Sequence, residues 1–67
     1  LRQLAGVIEL ALKKLPKKEQ LVVALHYQEE LSFRDIAEVL RLTPGRVSQL
    51  HTQAMIRIRA TMSKDEQ

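Results

Sequence analysis

The apolar residues of this chain set its fold by their spacing. Leu1, Leu4, Ala5, Ile8, Leu12 and Leu15 recur at i, i+3, i+4 and i+7, the signature of one helical face. Pro16 ends that run, because it lacks an amide N–H and disfavours the helical region for Leu15, and it suits the first turn of a new helix. The spacing therefore predicts a first helix over about 1–15 and a second over 17–27, with Leu21, Val22 and Leu25 facing inward. Lys17, Lys18 and Glu19 fall in the first turn of the second, and the two lysines oppose its dipole there.

"YQEELS" breaks the period, and Ser32 with Asp35 three positions on resembles a capping box. A short third helix over 33–40 follows, burying Phe33, Ile36, Ala37 and Leu40. Arg41 and Leu42 make a brief turn. Thr43 then caps, and Pro44 takes the first position of a fourth helix, running to about Met62 with Val47, Leu50, Ala54 and Ile58 as its buried stripe. The polar tail "SKDEQ" is expected to fray. No repeat, low-complexity segment or strand-like alternation interrupts the pattern, so the fold class is all-α: a small four-helix domain with a C-terminal helix-turn-helix.

At 67 residues the chain holds one domain with a thin core. It begins at Leu1 inside a helical pattern, as a piece of a longer protein would. The lack of Cys excludes a disulfide framework and thiolate metal sites, and two His without clustered carboxylates make a poor zinc cage. No metal or cofactor is expected, and an intracellular location is allowed. No apolar run approaches the roughly 18–20 residues of a membrane span. Eleven basic against eight acidic residues give a net charge of +3, which suits a nucleic-acid partner without requiring one.

The short turn after the third helix, with small Ala37 at the crossing, has helix-turn-helix spacing. In that motif Gly often stands four residues after the small one, where the chain turns left-handed. Here the position is Arg41, at a cost of about 1 kcal/mol if the turn is left-handed. On a helical wheel the fourth helix places Gly45, Ser48, Gln49, Thr52 and Ile56 opposite its buried stripe, with Arg46 and Gln53 on one flank.

Those types fit a major groove. Arg reaches guanine in a bidentate manner, Gln does the same for adenine, and Ser and Thr adapt. Thr43 and the free amides of the helix start add a phosphate site, and Lys18, Ser32, Thr52, Arg57 and Arg59 are further candidates for backbone contacts. Gly45 marks either a close approach of backbones or a place where a side chain would clash. The same polar face could equally be plain solvated surface, since short-turn helix pairs also occur in ordinary bundles. His51 falls at the edge of the buried stripe, Tyr27 at the core edge and Phe33 in the core. Ile56 is odd on a polar arc, as a stray surface residue or a contact for a partner helix. Glu29 and Glu30 have no nucleophile, oxyanion donor or metal set beside them, so no catalytic residue is expected and the chain is not read as an enzyme.

The run "LPKKEQLVVALHYQEELSFRDIAEVL" followed by "RVSQLHTQAMIRIR" resembles the C-terminal region four of bacterial sigma factors, most closely those of flagellar type, over Leu15 to Arg59. The resemblance implies cytoplasmic recognition of the minus-thirty-five element of double-stranded promoter DNA while the parent is bound to core RNA polymerase, with the beta subunit's flap tip docked on the domain. It also implies an anti-sigma factor as a partner. Arg46, Ser48 and Gln49 match base-facing positions of the family, Gln53 a position that reaches DNA or a bound activator, and Lys18 and Ser32 phosphate contacts. Pro44 and Gly45 replace charged readers of the housekeeping factors, so promoter choice is expected to differ from theirs. Ile56 stands where a basic residue is common in the family. Two alternatives stay open: the output domain of a stand-alone regulator, and a module chiefly for docking polymerase or an anti-sigma factor.

Overall fold

The computed structural model describes the backbone of residues 2–65 and the side chains from residue 9 to residue 63. Four helices follow one another: α1 (Arg2–Lys13), α2 (Lys17–Tyr27), α3 (Phe33–Leu40) and α4 (Pro44–Asp65). The described backbone contains no strand. The expected start at Leu1 and the inward placing of Leu4, Ala5 and Ile8 lie outside the described residues.

α1 stops two residues short of the expected Leu15. Lys14 N–H is shared between the Leu10 and Ala11 carbonyls (3.2 and 3.3 Å), and Leu15 N–H reaches Leu12 O at 3.1 Å. This tightened last turn is how a helix ends when the next residue is proline. Gln20 then donates from Nε2 to Leu15 O (2.9 Å) and Lys13 O (3.2 Å), satisfying carbonyls that the ended helix leaves open. Pro16, at φ −54° and ψ 151°, leads into α2.

α2 is rotated from the expected face. Val22 and Val23 are buried and Leu25 is partly so, but Leu21 is 40 % exposed and Glu19 only 2 %. The inward arc runs through Glu19, Val22, Val23 and His26, which puts Leu21 about 100° outside Val22. The rotation has a cause on α4, where Arg57 meets Glu19 and Ala54 receives Val23.

α3 forms as its caps dictate. Ser32 Oγ accepts from Asp35 N–H at 3.1 Å. At the other end Arg41 takes the left-handed conformation (φ 58°, ψ 46°). Leu42 N–H donates to Ala37 O (2.8 Å) and Arg41 N–H to Glu38 O (3.3 Å), the paired bonds of a Schellman motif. Leu42 packs on the cluster that holds Ala37, which supplies the apolar contact of that motif. Arg41 therefore bears the left-handed penalty that glycine avoids.

α4 starts as expected, with Thr43 Oγ1 accepting from Arg46 N–H at 3.1 Å and Thr43 O accepting from Val47 N–H at 3.1 Å. It ends later, at Asp65 rather than Met62. The helix thus takes in Ser63, Lys64 and Asp65 of the polar tail, where no Gly or Pro stops it; Glu66 and Gln67 lie outside the described residues.

α4 is the hub of the packing, touching α1, α2 and α3. One core cluster joins Val22, Ile36, Ala37, Val47 and Leu50, with Phe33 and Leu40 packed against it. A second joins Leu15, Val23 and Ala54, with Leu12, Met55 and Ile58 around them. One face of α4 is thus spent on the core along most of its length, and the opposite face is left to solvent.

Candidate nucleic-acid interface

The exposed face of α4 is defined by what its other face buries. Val47, Leu50 and Ala54 are at most 3 % exposed. Helical geometry then turns Gly45, Ser48, Gln49, Thr52 and Ile56 outward, with Arg46 and Gln53 on one flank, and all seven are exposed. This is the arc the wheel predicts.

Pro44 has no amide hydrogen and Arg46 N–H is given to Thr43 Oγ1, so the first turn offers the Gly45 N–H at the positive end of the dipole. Thr43 Oγ1 accepts from Arg46 N–H, so its hydroxyl hydrogen is still available to donate. Gly45 is open: a Cβ there would meet nothing nearer than Thr43 Oγ1 at 4.0 Å. No clash within the chain requires glycine at this position. Arg46 Nη1 donates to Gln49 Oε1 at 3.4 Å, so two of the expected base-facing residues are joined.

The expected phosphate contacts divide into groups. Lys18 is exposed in the first turn of α2, and Ser32, exposed at the start of α3, keeps a hydroxyl hydrogen beside its capping bond. Thr52 and Arg59 are exposed on α4. Arg57 has a partner: its Nε lies 3.2 Å from Glu19 Oε1. That carboxylate oxygen is buried and has no aligned hydrogen bond, so the contact is an ion pair by proximity. The charge expected for a phosphate is committed in part to a carboxylate on α2. Nothing in the local pattern warns of this pairing, because a glutamate in a first turn ordinarily faces water.

Behind the polar face lies a cluster the sequence hinted at only through His51. His26 and His51 have ring centroids 5.5 Å apart, and Phe33 stands 4.9 Å from His26 and 5.1 Å from His51. His26 Nδ1 lies 2.9 Å from Leu31 O, a carbonyl that can only accept, so Nδ1 carries the hydrogen. Tyr27, expected at the core edge, is 57 % exposed, and its hydroxyl is 2.9 Å from His51 Nε2. His51 is partly buried as expected. Burial first, and the neighbouring His26 second, hold its pKa below the ordinary 6.5. The cluster ties the end of α2 and the start of α3 to the middle of α4.

On the side of the α4 core stripe toward α1 and α2 runs an open apolar groove of about 510 Å³, with Leu12, Val23, Ala24, Met55, Ile58 and Met62 in its lining. Among the described residues no group of three or more His, Cys, Asp or Glu could hold a metal ion, and no helix is long and apolar enough to cross a membrane.

A short-turned helix pair, the second helix capped at its start and polar on its outer face, is the architecture of a helix-turn-helix protein. The chain belongs to the sigma-70 region 4 family, whose model, "Sigma-70, region 4", matches residues 11–60. It is similar to the RNA polymerase sigma factor FliA of Pseudomonas aeruginosa, 51% identical over 53 residues that make up 79% of this chain and 22% of the relative. FliA of Yersinia enterocolitica is 49% identical over 59 residues, 88% of this chain and 25% of the relative. A Vibrio parahaemolyticus protein described as an RNA polymerase sigma factor for the flagellar operon is 46% identical over 56 residues, 84% of this chain and 23% of the relative. The chain spans about a quarter of the length of these relatives. No solved structure matches.

Proposed function

We propose that this chain is the promoter-recognition domain of a flagellar-type alternative sigma factor. It reads the minus-thirty-five element in the major groove while the parent protein is bound to core RNA polymerase in the cytoplasm, and it performs no catalysis. The observation that carries this reading is the division of α4: Val47, Leu50 and Ala54 are buried, and Arg46, Ser48, Gln49 and Gln53 project from a capped helix start on the other side. Bases are read by those four. Lys18, Ser32, Thr43 and Thr52 contact phosphates, and Arg57 contributes there to the extent that Glu19 leaves its guanidinium free. The membership in the sigma-70 region 4 family and the FliA relatives support the same reading.

A docking role has its own support in the apolar groove lined by α1, α2 and α4, which offers a surface to the beta flap tip or to an anti-sigma factor and leaves the outer arc of α4 open. The two contributions separate by titration. Holoenzyme bound to promoter DNA loses affinity steeply with salt as phosphate contacts release counterions, whereas capture of an isolated flap-tip segment in the apolar groove responds weakly. A flat salt response of DNA binding, with docking intact, favours the docking module over the DNA reader.

A further inference from the structure

We infer that Arg46 and Gln49 act as one donor-only reading unit that selects guanine; the inference rests on the promoter-recognition reading above and specifies what the α4 face prefers. Arg46 Nη1 lies 3.4 Å from Gln49 Oε1. A guanidinium has donors and no acceptor, so the amide atom facing it is the oxygen whichever way the amide is drawn. The i, i+3 spacing makes the two side chains neighbours on the helix surface.

This contact changes what Gln49 offers. A free glutamine reads adenine with both ends of its amide, giving an N–H to N7 and accepting the N6 amino hydrogen at Oε1. Here the oxygen end is flanked by a cationic donor, so an amino group brought to it meets positive charge and competing N–H groups. The outward chemistry of the pair is the Gln49 Nε2 hydrogens together with the remaining guanidinium N–H groups, all donors. The base edge that answers a pair of donors with a pair of acceptors is guanine, through O6 and N7, whereas thymine offers O4 alone beside its methyl group. Helical side chains lean toward the N-terminus, so Gln49 leans over the turn that holds Gly45, four residues earlier. Gly45 has no side chain, and the space where its Cβ would stand is empty to 4.0 Å. Nothing there blocks the pair from a base.

The test uses the full-length parent in polymerase holoenzyme, selecting from promoter duplexes randomised through the minus-thirty-five element. The wild type enriches guanine at one base pair, and replacing that guanine weakens binding roughly 5- to 150-fold, the range for a lost bidentate contact. Arg46→Ala frees the Gln49 oxygen, and the preference at that same base pair moves from guanine to adenine. Gln49→Glu keeps the acceptor for Arg46 but removes the outward amide donors, and the guanine preference there falls. Both positions are exposed, so far-ultraviolet circular dichroism of the variants matches the wild type. If Arg46→Ala leaves a guanine preference intact, or if the Arg46 and Gln49 variants relax different base pairs, the paired unit is overturned and promoter recognition stands. A wild type with no base preference anywhere in the element overturns both.

Discussion

Glu19 Oε1 and Arg57 Nε lie 3.2 Å apart across the α2–α4 interface, the Glu19 side chain 3 % exposed and that of Arg57 56 %. A carboxylate so deeply placed depends on its counter-charge, because an unpaired buried charge has lost its hydration. Arg57→Ala removes that charge and leaves the carboxylate where it is. We expect a loss of roughly 1–3 kcal/mol, below the value for a fully enclosed pair because solvent reaches Arg57. Urea unfolding of the variant measures it, and Glu19→Gln, which removes the charge that needs a partner, is the milder change.

Gly45→Ala is expected to stabilise the fold by about 0.5–1 kcal/mol, since alanine is the better helix former and its Cβ enters open space. Thermal unfolding reads the gain. The same variant tells why glycine stands there: a simultaneous loss of DNA affinity assigns Gly45 to close approach of the helix start to the duplex, and an unchanged affinity assigns it to a base left unread.

Arg41→Gly relieves the left-handed strain at φ 58°. The expected gain is about 1 kcal/mol, reduced by the greater freedom of glycine in the unfolded chain. A rise in the urea midpoint with an unchanged slope is the signature of that gain.

The helix starts were legible in the sequence because capping is local chemistry. Ser32 with Asp35, and Thr43 with Pro44, carry the information within four residues. The outward arc of α4 was legible for a related reason: once Val47, Leu50 and Ala54 are assigned to the core, helical geometry places the rest. What escaped depends on residues far apart in the chain. Leu21 is apolar and looked inward, yet the α2 face that turns in is set by Glu19 meeting Arg57, 38 positions away (57 − 19). For the same reason Arg57 looked like a free cation. The extra turn of α4 escaped because nothing in "SKDEQ" either caps the helix or breaks it. The Arg46–Gln49 contact has helical spacing, but many such pairs on a polar face never touch.

His51 makes the stability of the fold depend on pH. Burial, then His26, lowers its pKa in the folded chain below the 6.5 of the unfolded one. Between those two values the unfolded state holds more protons, so stability is full above about pH 6.5 and falls as the pH drops through the folded value. Unfolding followed from about pH 8 to about pH 5 should show that decline, and His51→Gln should flatten it, since a glutamine side chain does not titrate there.

The outer face of α4 is proposed to choose the base sequence. The most direct test of that choice is competition between a promoter with the intact minus-thirty-five element and one with that element scrambled, for holoenzyme carrying the wild-type parent, Gln49→Ala or Lys18→Ala. Gln49→Ala is expected to lose about 1–3 kcal/mol of discrimination, and Lys18→Ala to weaken both duplexes alike and leave the ratio unchanged. Full discrimination in the Gln49 variant, or a changed ratio in the Lys18 variant, would take base choice away from this face.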